Sequence, residues 1–207
     1  EQNSFDRAIE IAQNQNREPV IFSDSGDNPG GGGTGRTTQL LAKLVERGVK
    51  DVLYGSFFDY KLAEEAMSLG LGSKFKAVFN RDSVQNQQWQ KYDEPLTIDA
   101  EIIGLHDGEV IGRFGIFSGR KMSLGKCALL EINGIKVVVI SERSQTADPI
   151  FFEMFGQKIS DAHTVIVKSR GHFRAGFKSW FNDKDVLEVD TVGLTSPVLE
   201  SWDFQNV

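Results

Sequence analysis

Apolar positions recur along the chain in two periods, and the change of period divides it into parts. Phe5, Ala8, Ile9 and Ala12 fall at helical spacing, which predicts an amphipathic helix over about residues 4 to 14. Pro19 precedes Val20-Ile21-Phe22, a short apolar run that reads as a buried strand. Leu40, Leu41, Leu44 and Val45 mark a helix face that Gly48 closes, after a start near Thr37. Val52-Leu53-Tyr54 is a second strand. Leu62, Ala63, Ala66 and Met67 mark the next helix, which ends at Gly70 and Gly72. Ala77-Val78-Phe79 is a third strand. This alternation predicts right-handed crossovers and a parallel sheet.

The pattern then shifts. Residues 82 to 95 are polar and rich in Gln and Asn, and read as a loop. Ile98, Ala100 and Ile102 alternate with polar positions, and His106-Asp107-Gly108 is a turn. Val110, Gly112, Phe114 and Ile116 then alternate again. Asn133-Gly134 between two β-rich runs is a strong hairpin signal. Residues 96 to 141 therefore read as an antiparallel β excursion, either added to the sheet or forming a small subdomain. From 142 to about 200 the α/β character returns. Ile150 to Phe155 is a short helix and Val165-Ile166-Val167 a buried strand. Phe173, Phe177, Trp180 and Phe181 form one helix face, and Val186 to Val189 a last strand. The predicted fold class is α/β, a mostly parallel sheet flanked by helices with an antiparallel hairpin region in mid-chain.

Composition narrows the function. A chain of 207 residues with 40% apolar and 25% charged content can bury a sizeable core. The net charge of -6 argues against a general nucleic-acid binder. No apolar run approaches the ~20 residues a membrane span needs, and the polar N-terminal stretch is unlike a signal peptide. Cys127 is alone, so neither an internal disulfide nor a cysteine-based zinc cluster can form, which fits a reducing, cytoplasmic setting. The first residue is not Met, and the chain reads as a domain cut from a longer protein.

Two segments carry the candidate chemistry. Between the first buried strand and the following helix lies Asp24-Ser25-Gly26-Asp27-Asn28-Pro29, then Gly30 to Gly35, where five of six residues are glycine. Bare backbone before a helix start lets a ligand approach the main-chain N–H groups. Gly30 to Thr37 also matches the spacing of a phosphate loop, but with Arg36 in place of Lys, and Arg cannot act as that compact point charge. Asp59 and Asp190 are the nearest candidate magnesium carboxylates. Asp24, Asp27 and Asn28 suit either hard-cation ligands or caps of the turn, and the second reading is preferred.

The second segment is Lys168-Ser169-Arg170-Gly171-His172-Phe173-Arg174, after a strand and opening a helix. From His163 to Trp180 there is no acidic residue, whereas Lys168, Arg170, Arg174 and Lys178 are basic. Such an excess suits a carboxylate, a phosphate or an acidic surface. His172 is a candidate general base or a hydrogen-bonded structural group. Ser141 to Gln145 adds polar groups to the same edge, and Ser141 and Ser144 lack a nucleophile elbow.

Together these residues resemble the C-terminal domain of the microcystinase C (MlrC) family of metallopeptidases. The resemblance rests on Asp24-x-x-Asp27-Asn28-Pro29-Gly30-Gly31-Gly32 with the Gly-x-Thr-Thr helix start. It rests equally on Val167-Lys168-Ser169-Arg170-x-His172-Phe173-Arg174-Ala175-x-Phe177, and runs from about Pro19 to Pro197. It departs at Arg36, where the family has an acidic residue, and at Glu142, where it has a basic one. The resemblance implies one MlrC-like C-terminal domain over residues 1–207 of a zinc-dependent peptidase. The zinc would be held by an N-terminal domain outside this chain, and no residue here would ligate it. His172 would act in catalysis. Asp27, Asn28, Gly30, Gly31, Gly32, Lys168, Arg170 and Arg174 would bind a peptide substrate. The expected partners are that N-terminal domain and the peptide, with homo-oligomerisation open. Two other readings stand beside it: a peptide- or anion-binding module without chemistry, and a nucleotide-binding protein built on the glycine loop.

Overall fold

The computed structural model describes residues 2–3, 5–83, 91–189 and 191–198. Its strands are β1 (Gln2–Asn3), β2 (Val20–Asp24), β3 (Val52–Phe58), β4 (Lys74–Phe79), β5 (Leu96–His106), β6 (Glu109–Ile111), β7 (Lys121–Ser123), β8 (Cys127–Ile132), β9 (Ile135–Ile140), β10 (Thr164–Val167) and β11 (Val186–Val189). Its helices are α1 (Phe5–Gln13), α2 (Gln39–Glu46), α3 (Tyr60–Leu69), α4 (Ile150–Glu153) and α5 (Phe173–Phe177). Among the described residues one nine-stranded sheet runs β1-β11-β2-β10-β3-β9-β8-β5-β4, and β6 and β7 pair apart from it. The strands from β1 through β9 in that order are parallel, and β8, β5 and β4 continue the sheet antiparallel.

The central strands are continuous apolar runs because both faces of the sheet are covered. Phe22, Tyr54, Ile166, Val137 and Val139 join one core with Leu40, Leu41 and Leu44 of α2 and Leu62 of α3. The intervening Ile21, Leu53, Val165, Val167 and Val138 join the opposite core with Phe151 and Phe152 of α4 and Phe173 and Phe177 of α5. Local signals set the element ends. The Asp59 carboxylate accepts from Leu62 N at 3.0 Å and caps α3. Asn133 (φ 51°) and Gly134 (φ 90°) make the two-residue turn that places Ile132 opposite Ile135.

The antiparallel excursion is an extension of the main sheet, and only the β6–β7 ribbon stands outside it. The third strand departs from its predicted parallel setting. β4 lies at the sheet's edge, antiparallel to β5. Its alternation explains this: Lys74 and Lys76 are exposed while Ala77 and Phe79 are buried, the pattern of a half-solvated edge. Phe114 and Ile116 do not extend a strand, because the chain turns in a short 3-10 helix at Gly115–Phe117. α5 stops at Phe177, with Trp180 and Phe181 packed beyond its end on the same core. The 82–95 segment is described only in part.

The order of connections positions the site. From β2 the chain crosses through α2 to β3, passing β10. From β10 it crosses through α5 to β11, passing β2 in the other direction. The two helices pack on opposite faces. The carboxyl ends of β2 and β10 therefore open a crevice at a topological switch point, where open α/β sheets place their ligands.

Candidate functional site

Both candidate segments converge on that crevice, and a buried ion pair joins them. Lys168, just past β10, is wholly buried. Its Nζ donates to Asp24 Oδ2 and to Asp27 Oδ2, each at 2.8 Å. It also donates to Thr37 Oγ1 at 3.0 Å and Thr37 O at 3.2 Å, and lies 4.9 Å from the Phe57 ring centroid. Asp24 Oδ1 accepts from Thr191 Oγ1 at 2.5 Å. Asp27 accepts from Gly35 N at 2.7 Å and from Thr37 N at 2.8 Å. Burial works against the ammonium, but the two aspartates outweigh it and hold Lys168 above its ordinary value. Burial likewise opposes the Asp27 carboxylate, and the charge and hydrogen bond of Lys168 outweigh it downward. Strand, loop, helix start and β10 are thus fastened at one point.

The network continues beneath the loop. Thr34 Oγ1 donates to Asp93 Oδ1 at 2.7 Å. The buried Arg36 guanidinium donates to Asn80 Oδ1 at 3.0 Å and Asp82 Oδ1 at 2.7 Å, and its Nε lies 3.6 Å from Asp93 Oδ2. Asn80 N in turn donates to Asp59 Oδ2 at 2.8 Å. Burial raises the Asp93 carboxyl. Arg36 is thus spent inside the protein. With Asp59 committed to α3 and Asn80, the phosphate-loop reading loses both its cation and its nearest magnesium carboxylate. Asp190 lies outside the described residues.

The glycine loop folds into two 3-10 turns, Ser25–Asp27 and Pro29–Gly31. Its N–H groups turn inward. Gly30 N donates to Asn28 Oδ1, Gly31 N and Gly33 N to Asn28 O, Gly32 N to Pro29 O and Gly35 N to Asp27. The loop is therefore not an N–H nest for a ligand. Gly30, Gly31 and Gly32 are exposed as a ridge of bare backbone, while Gly33 and Gly35 are buried. A Cβ on Gly33 would sit 2.7 Å from Asn28 N, and Gly32 has φ 102°.

Beside the ridge stands His172. Its ring is exposed, with Nδ1 3.2 Å from Gln145 Oε1. An amide oxygen only accepts, so Nδ1 donates in this contact, and in a neutral ring that leaves Nε2 as the accepting nitrogen. Gln145 Oε1 also accepts from Ser169 Oγ at 3.4 Å, and Gly30 packs on the same amide. Arg170 is exposed, with no carboxylate in ion-pair reach among the described residues. Arg143, across the loop, donates to Gly33 O at 2.8 Å.

Of the residues expected to face a ligand, Gly30, Gly31, Gly32, Arg170 and His172 share the exposed rim of the crevice. Asp27 and Lys168 do not: burial and mutual pairing turn them into the frame beneath it. Asn28 is buried and fixes the turn through Gly30 N, Gly31 N, Gly33 N and Thr195 Oγ1. Arg174 points away, 3.3 Å from Asp183 and 3.6 Å from Glu188. Gln145, whose amide sets the tautomer of His172, was visible only as part of a polar stretch. Thr191, Asp93 and Asn80 carried no local signal, because their partners are remote in sequence.

The described residues do not fit zinc. Among the described residues no three of His, Cys, Asp and Glu gather as a ligand set. Asp24 and Asp27 already neutralise an ammonium. His106 caps a turn at Gly108 N, and His163 lies near Asn14 O, ahead of the opposite ends of the strands. Cys127 is buried, and desolvation above all pushes its thiol up to about 12, so it is no nucleophile. No helix among the described residues is long and apolar enough to cross a membrane.

Comparison with known proteins places this geometry. The crystal structure of a "Putative metallopeptidase" from Mesorhizobium sp. BNC1 superposes with a TM-score of 0.81 at 22% identity, over 99% of this chain and 39% of that one. At that identity the likeness is one of fold. The chain is 27% identical over 174 residues to Microcystinase C of Sphingomonas sp., covering 84% of this chain and 32% of that protein. It thus spans about a third of the length of that curated relative. The profile described as the MlrC C-terminus matches residues 22–206, and the chain belongs to that peptidase-associated family.

Proposed function

We propose that this chain is the C-terminal part of a zinc-dependent peptidase or amide hydrolase, whose metal is held by an N-terminal domain outside it. In this reading the chain supplies the wall of the cleft that faces the peptide. The observation that carries it is His172, exposed beside the bare Gly30–Gly32 ridge at the switch point, with Nδ1 committed to Gln145. When neutral, the ring offers Nε2 as a proton acceptor. Once protonated, Nε2 donates to an oxygen that gains negative charge. The ridge is exposed backbone, and at Gly32, where a Cβ would stand in open space, an extended substrate approaches without meeting a side chain. Arg170, with no ion-pair partner among the described residues, offers its guanidinium to a substrate carboxylate. Among the described residues no ligand set for the metal gathers, so this chain's contribution is that of His172, the ridge and Arg170.

Arg170 also supports a second reading, a peptide- or anion-binding module that does no chemistry. The two readings separate in the full-length protein. Peptide hydrolysis and zinc content are measured for wild type and His172→Ala, with thermal unfolding as the control. The peptidase reading expects kcat/KM to fall about 100-fold with the melting temperature retained. Unchanged kinetics would remove His172 from the reaction, and an absence of hydrolysis with peptide still bound would favour the module.

A further inference from the structure

Gly32, at the end of the same ridge, and Thr34 line a cleft of about 440 Å3. Phe58, Tyr60 and Leu194 give it apolar walls, and Arg36, Asp82 and Arg143 give it charge. The charges are not equivalent. Arg36 is buried against Asp82, Asn80 and Asp93. Asp82 also has Lys61 at 3.7 Å. Arg143 is exposed, and no carboxylate among the described residues lies within ion-pair distance. Its bond to Gly33 O ties a rotamer-rich side chain to the loop. A guanidinium has five N–H donors in a planar fork, so one anchor leaves the others for a ligand.

We propose that this cleft is a substrate subsite for a carboxylate borne on an apolar group, with Arg143 as its clamp. The apolar walls favour an organic acid over a free inorganic anion, because burial of Tyr60 and Leu194 contributes only if the ligand brings apolar surface. The Asp82 carboxylate weighs against a doubly charged phosphate. Its burial would raise it, but the bond and charge of Arg36 outweigh that and keep it ionised. A backbone lying along Gly30–Gly32 would meet His172 at one end and this cleft at the other. The identity of the ligand as a peptide rests on the peptidase reading; the selection of a carboxylate rests on Arg143. The carboxylate has two sources, a peptide C-terminus or an acidic side chain.

The test is calorimetric titration of the protein with two matched pairs of peptides. One pair is N-acetyl-Leu-Phe as the free acid and as the amide. The other is N-acetyl-Phe-Glu-amide and N-acetyl-Phe-Gln-amide. One acid is expected to bind about tenfold tighter than its neutral partner, and the pair that discriminates names the source. Arg143→Ala should bring that ratio to about one, and Arg143→Lys should keep part of it, which a purely structural role of the side chain would not do. No discrimination in either pair, binding of none of the four peptides, or a ratio indifferent to Arg143→Ala overturns the subsite. Hydrolysis by the full-length protein is scored separately. Acid-selective binding without hydrolysis overturns the peptidase reading and leaves the subsite standing.

Discussion

A lysine without exposed surface, held between two aspartates, decides the shape of the loop that the sequence made conspicuous. Removing one member of such a set leaves buried charge unmatched, which costs about 3–5 kcal/mol. Lys168→Met should therefore lower stability by about that amount in denaturant titration, and Arg170→Met, on the exposed rim, by less than about 0.5 kcal/mol. The pH response follows from the directions of the shifts. Asp27 is held below its unfolded value, so its contribution is present above about pH 4 and is lost as pH falls through the lower folded value. Lys168 is held above its unfolded value. Its contribution is complete below about pH 10 and lost only as pH rises through the higher folded value. Stability from this pair should be flat between those limits, and Lys168→Met should remove the acid-side loss due to Asp27. Unfolding curves of both proteins at pH 3 and pH 7 would check this. The local excess of basic residues pointed Lys168 outward in the sequence. Burial reversed that, because its counter-charges lie 141 and 144 residues away.

At the scale of the element, the glycines of one loop serve different ends. Gly32 has φ 102°, and open space surrounds a Cβ built on it. Gly32→Ala should cost about 1 kcal/mol through backbone strain alone, with ligand contacts otherwise intact. Gly30 has no such constraint on φ, but a Cβ there would sit 2.4 Å from Gln145 Oε1. Gly30→Ala should push the amide aside and release His172 Nδ1. Its stability cost should be small, and its mark should be a changed tautomer balance in the nitrogen chemical shifts of the ring. The loop, its position between strand and helix, and the hairpin at Asn133-Gly134 were legible because Gly, Pro and Asn carry strong local preferences. The direction of the loop's N–H groups was not. Asn28 and Asp27 take most of them, and composition alone does not tell a loop that binds itself from one that binds a ligand.

Across the whole molecule, cover is uneven. β2, β10 and β3 lie between two helical layers, whereas β4 is an edge strand and the β6–β7 ribbon is separate from the sheet. Amide exchange should be slowest in β2, β10 and β3 and faster by several orders of magnitude in β4 and in β6–β7. Uniform protection would contradict that gradient. The α/β class was readable from the change of hydrophobic period near residue 82. The strand order was not, because alternation sets which face a residue takes and says little about its neighbour in the sheet. That order has a consequence for synthesis. β10 inserts between β2 and β3, and Lys168 reaches the aspartates only after it does. A nascent chain that has emerged as far as the hairpin holds Asp24 and Asp27 with no cation to match them. The crevice is thus among the last features to form, and its completion is a sign that the long-range pairings of the sheet are in place.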